Sequence, residues 1–538
     1  MNVSTPPKKI RHPIKRYLWA RLRLATQILT LVFFVALFFK TRGEVFSQGG
    51  WPLNVFFLAD PLIALAATAS GRVLLDMFWP AVIVFCLTLF LGKAFCGWIC
   101  PLGTLLDGFH AAFRPWLKRV PFFNAPYLNS RPARSVRVGV LVILLLCAIC
   151  GLQLFIFLDP ITILFRALTL FVEPFAFDGM QTFFSWLYCH APSSVNSVGD
   201  PVYAWLKNEV FPAERPTRLL GGLALGMIAA IFLMDILGRR LWCRTVCPLG
   251  ALLGLAARFS PLKRIPSKSG CGGCRECEHD CRMGAFDEKG QIIPSVCNLC
   301  MDCVENCPRE ISSFSIKIKN ATTNSVPPDL SKRVFIASLA TGAAIPLLAK
   351  SGLAPCLLAE QNEAGILRPP GARTGDSFLD LCVRCGLCMK ICPTSALQPS
   401  WAEDGFEGVF APRLIPRIGY CEFNCHACGQ VCPTGAIAPL SLEEKQSAVI
   451  GKAKFDKSRC IPFATGESCL VCEEHCPVPD KAIHYREVEM KTPSGRTTTV
   501  RQPYVKRGRC IGCGICEKVC PLDGEAAVRV FPRLRSRS

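Results

Sequence analysis

The chain has 538 residues, which at about 150 residues per domain implies three or four units rather than one small domain. It is 51% hydrophobic and only 19% charged, below the roughly 25% of soluble domains, so disorder is excluded and a wholly soluble chain is disfavoured. The formal charge is +21 and there are 33 cysteines, whose spacing must separate disulfides from metal.

The chain opens on a basic stretch, Lys8, Lys9, Arg11, Lys15, Arg16, Arg21 and Arg23, followed by an apolar run from Leu24 to Phe39. This reads as a first membrane span entered from the cytoplasm. Further apolar runs cover Val73 to Leu91, Val138 to Leu158 and Leu219 to Leu237. Each approaches the ~20 residues that hydrocarbon requires, so four spans are predicted. Arg114, Lys118, Arg119, Arg131, Arg134 and Arg137 lie between the second and third runs, and Arg239, Arg240 and Arg244 follow the fourth. Both segments belong inside, with the N-terminus cytoplasmic. From Asp159 to Arg218 the chain carries Glu173, Asp178, Asp200, Glu209 and Glu214 with few basic residues, as suits surface-lying helices on the outer face.

The motif Phe95-Cys96-Gly97-Trp98-Ile99-Cys100-Pro101-Leu102-Gly103 returns as Trp242-Cys243-Arg244-Thr245-Val246-Cys247-Pro248-Leu249-Gly250. Upstream, Asp60-Pro61 matches Asp159-Pro160. Each half thus reads span, Asp-Pro, span, Cys-x3-Cys-Pro, an internal repeat about an axis along the membrane normal. Cys96, Cys100, Cys243 and Cys247 supply two thiolates per half. Brought together they would hold a further iron–sulfur cluster or act as a dithiol/disulfide relay; the plainer reading is capped helix ends with buried thiols. Asp60 and Asp159 have the position of helix N-caps, and a carboxylate at that depth also suits a proton acceptor for quinol. Cys86, Cys147 and Cys150 read as small core residues, and Cys189, His190 and Cys356 receive no role. None of the seven histidines lies in the four runs, which excludes a bis-histidine haem there.

Six cysteine quartets follow. Cys271, Cys274, Cys277, Cys281, then Cys297, Cys300, Cys303, Cys307, then Cys382, Cys385, Cys388, Cys392, and finally Cys510, Cys513, Cys516, Cys520 share the spacing x2, x2, x3. Cys421, Cys425, Cys428, Cys432 and Cys460, Cys469, Cys472, Cys476 are variants, and five of the six quartets end in Cys-Pro. This is the bacterial ferredoxin run, in which three thiolates hold one cubane and the fourth ligates its neighbour. Zinc ribbons pair Cys-x2-Cys knuckles across longer gaps, and disulfides do not suit cytosolic segments. The pattern therefore predicts six 4Fe-4S clusters. Cross-ligation assigns Cys307 to Cys271, Cys274 and Cys277, and Cys281 to Cys297, Cys300 and Cys303. For the C-terminal quartets, pairing first with fourth and second with third is preferred. Counting about −2 per cluster lowers the net charge to about +9, which removes the case for nucleic acid.

Between the cysteine-rich blocks, Ser331-Lys332-Arg333-Val334-Phe335-Ile336 leads an apolar stretch from Val334 to Ala349 interrupted by Pro346. It is short for a span and fits a signal-type segment. The predicted organisation is a four-span α-helical membrane domain with the repeat over 1–257, a cytoplasmic two-cluster module over 258–325, a linker with the hydrophobic segment over 326–360, and a four-cluster domain over 361–538. The fold class is multi-domain: the helical membrane domain joined to α+β ferredoxin-like 4Fe-4S modules.

With its duplicated Cys-x3-Cys-Pro and trailing two-cluster module, the membrane half resembles the NapH and MauN-type membrane ferredoxins. The C-terminal domain, from Arg368-Pro369-Pro370-Gly371 through Cys382-Val383-Arg384-Cys385-Gly386, resembles the NapG and MauM-type four-cluster ferredoxins. The chain reads as a fusion of the two. The resemblance implies a bacterial inner-membrane electron carrier with quinol dehydrogenase activity, taking electrons from the quinone pool to a periplasmic cytochrome or reductase. It also implies twin-arginine export of the C-terminal domain, with Lys332 standing where arginine is usual. A maturation reductase that keeps a partner's metal centre reduced is the rival. An ion-coupled pump is disfavoured, because charges in the runs are confined chiefly to Asp76 and Asp235. No dinucleotide fingerprint, P-loop or Cys-x2-Cys-His is present.

Overall fold

A computed structural model of the chain describes residues 18–42, 54–72, 76–117, 131–212, 215–266, 276–287, 290–307, 312–316, 331–350, 365–374, 376–401, 403, 405–491 and 497–532. They form two compact units. One comprises Met1–Leu37, Val55–Leu164 and Gly226–Leu347; the other comprises Phe38–Asn54, Phe165–Leu225 and Leu348–Ser538. The readings at Cys271, Cys274 and Cys356 fall outside the described residues.

The first unit is built on helices. α1 (Leu18–Lys40) is followed by α2 (Pro61–Gly71), α3 (Trp79–Leu91), α4 (Pro101–Leu117) and α5 (Arg131–Ile149). The apolar run from Val138 to Leu158 is not one helix. It breaks at Gly151, whose φ of 84° ends α5 while the Leu152 N–H donates back to the Cys147 carbonyl at 2.8 Å, a turn that favours glycine. The chain restarts at Asp159-Pro160 as α6, continuous from Pro160 to His190 with a π-helical turn at Leu168–Val172. α6 passes into the second unit at Phe165, and Ser193–Trp205, α7, lies wholly in that unit; α8 (Gly221–Leu237) returns to the first unit, which also holds α9 (Pro248–Ala257).

Among the described residues two helices are long and apolar enough to cross a membrane, α1 with 23 residues and α6 with 31. α3 and α8, at 13 and 17 residues, are apolar but shorter. The second long helix thus falls in the segment expected to lie on the outer surface, and the four predicted runs do not become four full-length helices. Of the three cysteines read as core, only Cys147 is buried; Cys86 and Cys150 are exposed.

In the same unit β1 (Leu262–Pro266) pairs antiparallel with β2 (Ser312–Ile316), Leu262 opposite Ile316. Between them Met283, Ala285, Ile293 and Val296 form a small core. α10 (Lys332–Lys350) packs parallel along α5. Ser338 and Gly342, four apart, let the backbones approach: a Cβ on Gly139 would meet the Ser338 Oγ at 2.6 Å, and one on Gly342 would meet the Leu146 Cδ1 at 2.7 Å. Such small-residue faces are how apolar helices associate closely.

Besides α7 and most of α6, the second unit has short helices and three two-stranded antiparallel ladders: β3 (Leu397–Pro399) with β4 (Pro412–Leu414), β5 (Gly451–Phe455) with β8 (Val528–Pro532), and β6 (Ile483–Lys491) with β7 (Thr497–Val505). The β6–β7 hairpin lies between β5 and β8 in the chain. The Cys382–Cys392 loop is anchored on the segment from Phe165 to Leu225. Lys390 forms a buried ion pair with Glu173, Arg218 Nη2 donates to the Met389 carbonyl at 2.8 Å, and Gln398 Nε2 donates to the Thr217 carbonyl at 2.7 Å.

Candidate iron–sulfur centres

Three of the cysteine loops, those led by Cys297, Cys382 and Cys510, share one conformation. The residue before the second cysteine and the one after it both have positive φ: Arg384 at 48° and Gly386 at 90°, Gly512 at 80° and Gly514 at 87°, Leu299 at 53° and Met301 at 63°. Left-handed steps on either side of a cysteine curl the loop around a central space, and a single turn of helix then carries the third cysteine.

In the second unit four cavities are lined each by three thiols of one quartet and the last thiol of another. Cys382, Cys385 and Cys388 share theirs with Cys432. Cys421, Cys425 and Cys428 share with Cys392. Cys460, Cys469 and Cys472 share with Cys520, and Cys510, Cys513 and Cys516 share with Cys476. The exchange is therefore first with second and third with fourth, which corrects the expected pairing. The reason lies in the ladders: β3–β4 folds the first two quartets onto one another, and β5–β8 closes the last two. The Cys421 N–H donates to the Cys513 carbonyl at 2.8 Å, so the two pairs join through the second and fourth quartets. The sites thus follow one another in the order of their leading cysteines 382, 421, 510 and 460.

No three thiols among the described residues converge on one point, as the Zn–S bonds of about 2.3 Å at a single zinc would demand. They stand around cavities instead, the arrangement of ligands at the corners of a larger group. Burial pushes the Cys472 thiol up to about 12, with Cys460 and Cys469 adding to it, and pushes Cys421 up to about 12. Four buried thiolates are thus unfavourable without positive charge among them, which a bound metal centre would supply. Backbone N–H groups already point at sulfur, Ala482 to Cys476 at 3.2 Å and Ala453 to Cys510 at 3.4 Å. Such bonds favour added negative charge and tune potential.

In the first unit Cys281 neighbours Cys297, which is also flanked by Cys300 and Cys303. Cys307 is described, while its expected companions Cys271 and Cys274 are not. The four thiols of the duplicated motif are neighbours as well: Cys96 and Cys243 lie close to one another and to Cys100 and Cys247. Cys243 packs with Cys281 and Cys297 against the core of Met283, Ala285, Ile293 and Val296. Gly97 is required here, since a Cβ would lie 2.2 Å from the Asn298 carbonyl oxygen.

A buried charge network fixes this contact. Asp107 accepts from Arg240 at 2.7 Å and from Arg282 at 2.7 Å; Asp302 accepts from Arg282 at 2.6 Å and Arg23 at 2.5 Å. Burial alone would raise the Asp107 carboxyl, but Arg240 and Arg282 hold it well below the usual range, and Asp302 is lowered in the same way by Arg282 and Arg23. The sequence reads Arg23 and Arg240 as topology markers and assigns no role to Arg282, Asp107 or Lys93. The usable signal was that Lys93 and Arg240 each stand three residues before the first cysteine of their motif.

Asp60 caps α2, accepting from the Leu62 N–H at 2.7 Å, and Asp159 caps α6, accepting from the Thr162 N–H at 2.7 Å. Both are fully buried, and their carboxyl groups adjoin.

Residues 74–120 and 219–266 match a family described as a 4Fe-4S binding domain, 381–436 a 4Fe-4S dicluster domain, and 503–523 a 4Fe-4S binding domain. The methylamine utilization ferredoxin-type protein MauM of Methylorubrum extorquens is 37% identical over 210 residues, 38% of this chain and 91% of that protein. The ferredoxin-type protein NapG of Escherichia coli is 35% identical over 167 residues, 31% of this chain and 70% of that protein. The ferredoxin-type protein NapH of Haemophilus influenzae is 24% identical over 288 residues, 51% of this chain and 80% of that protein. No solved structure matches the chain.

Proposed function

Because the chain belongs to the MauM and NapG family of ferredoxin-type proteins, here fused to a NapH-type half, and is an iron–sulfur electron-transfer protein, we propose that it oxidises quinol in the bacterial inner membrane and delivers electrons to a periplasmic redox partner. The observation that carries this reading is the row of four interlocked cysteine sites in the second unit. An unbranched row suits transport between two end points.

The six quartets, Cys271 through Cys520 as given above, are the ligands of six 4Fe-4S clusters. Bound there, the clusters supply closely spaced one-electron carriers. The chain's own residues do the rest. Cysteine burial excludes water, the N–H···S bonds set each site's preference for an electron, and the Asp107–Arg282–Asp302 network holds the inner module against the Cys-x3-Cys turns. Asp60 and Asp159 each commit one oxygen to a helix cap and turn the other toward its mate. Two buried carboxyls side by side cannot both ionise, so the pair holds a proton site suited to the hydroxyl of a quinol.

The membrane domain is read as four spans in two repeated halves, with the N-terminus and inner module cytoplasmic. Export of the C-terminal domain is supported by α10, which starts at Lys332 and runs parallel to α5, a helix that leaves the basic, cytoplasmic side. The test is addition of menaquinol and ubiquinol analogues to anaerobic, detergent-purified protein. The expected result is bleaching of the iron–sulfur absorbance, weakened at least tenfold by Asp60→Asn. Inertness to both quinols, with clusters that dithionite still reduces, overturns the quinol assignment and favours a maturation reductase fed by another donor.

A further inference from the structure

The two Cys-x3-Cys-Pro-Leu-Gly turns each carry a cation three residues ahead, Lys93 and Arg240, and each cation lies over the glycine of the opposite turn. A Cβ on Gly103 would come within 3.3 Å of the Arg240 Nη2, and one on Gly250 within 3.3 Å of the Lys93 Nζ. The pair is not balanced alike. Arg240 has a carboxylate, Asp107, seven residues past Cys100; the position seven past Cys247 is Gly254. Lys93 is 1% exposed, and among the described residues its Nζ has no hydrogen-bond partner. Around that ammonium stand Cys96, Cys243 and Cys247, with Arg137 beside it.

A buried ammonium without an anion is disfavoured. A disulfide or neutral thiols would leave it so, whereas an oxidised cluster on four thiolates carries about −2. We infer that Cys96, Cys100, Cys243 and Cys247 together hold one iron–sulfur cluster, a seventh centre shared between the two halves, with Lys93 as its counter-cation. Each of the matched segments 74–120 and 219–266 contains only one of the cysteine pairs, half of the four-thiolate set such clusters need. One shared centre, and not two, follows. Contact of Cys243 with the core beneath Cys281 and Cys297 sets it beside the inner module. The inference rests on the iron–sulfur reading above but not on quinol as donor.

The test uses the full chain purified anaerobically, comparing wild type with Cys96→Ser/Cys243→Ser, Lys93→Met and Lys93→Arg by iron analysis, Mössbauer spectra and EPR-monitored titration. The serine variant is expected to lose about two or four irons per chain, for a two-iron or a cubane cluster respectively, and one EPR component, while the others persist. Lys93→Met moves that component to a more negative potential, because the charge that favours its extra electron is gone; Lys93→Arg restores it. Should the serine variant fail to fold, wild type answers alone: iodoacetamide leaves these four thiols unmodified until a chelator strips the iron. Unchanged iron and spectra in a folded serine variant, or a disulfide among the four in wild type as isolated, overturns the shared centre. Wild type without any iron would instead sink the ferredoxin reading beneath it.

Discussion

Asp107 joins Arg240, three residues ahead of Cys243, to Arg282 of the inner module, so one carboxylate serves two tasks. Asp107→Asn removes the charge but keeps the shape, leaving two buried guanidiniums short of an anion. A loss of about 3–5 kcal/mol is expected, read as earlier proteolytic release of the module and a lower melting temperature in detergent. The pH dependence follows from the direction of the shifts. Asp107 and Asp302 are depressed in the folded chain, so their contribution is fully present above the unfolded carboxylate value of about 3.9 and is lost as pH falls through the folded values. Docking is therefore expected to be flat from about pH 5 to 8 and to fail only in stronger acid, which a pH series of the same proteolysis checks. Little of this was legible beforehand. Arg23 and Arg240 were visible as basic residues flanking apolar runs, but the partner of Arg23 is Asp302, and no local spacing links residues so far apart. The cysteines were legible because metal chemistry imposes its geometry within a dozen residues.

At the level of elements, the quartets could be read from spacing while their pairing could not, because exchange depends on which loops the ladders bring together. The distinction is measurable. Cys432→Ser is expected to damage the site led by Cys382 and to spare the one led by Cys421, lowering iron by about one to four atoms and perturbing one EPR component. Damage to the Cys421 site instead would show that the exchange is wrong. The apolar stretch after Lys332 was ambiguous for a related reason: length and composition suit a leader as well as a structural helix, and only its small face against α5 separates them. Gly342→Leu would drive a side chain into Leu146 and Ile143. Overpacking of this kind costs about 1–3 kcal/mol, expected as reduced yield of folded protein from membranes, while Leu347→Ala, at an exposed position, changes little.

For the whole molecule, sidedness decides where electrons go. The proposed arrangement leaves the inner module in the cytoplasm and the four-site domain outside, so protease added to intact spheroplasts is expected to remove a C-terminal tag and to leave an N-terminal tag untouched. Protection of both tags would confine every cluster to the cytoplasm and remove the periplasmic partner. The break at Gly151 explains why the run from Val138 to Leu158, counted as one span, is not one helix: hydropathy registers composition, whereas a left-handed glycine stops a helix regardless of it.

The exchanged ligands also impose a timetable. The loop of Cys460, Cys469 and Cys472 is translated well before Cys520, which completes its site, so its thiols must wait, reduced and empty, for a later stretch of polypeptide. Loading iron there is thus a late event in biogenesis, and a secretion route that threads unfolded chains would scatter the waiting ligands before the metal arrived.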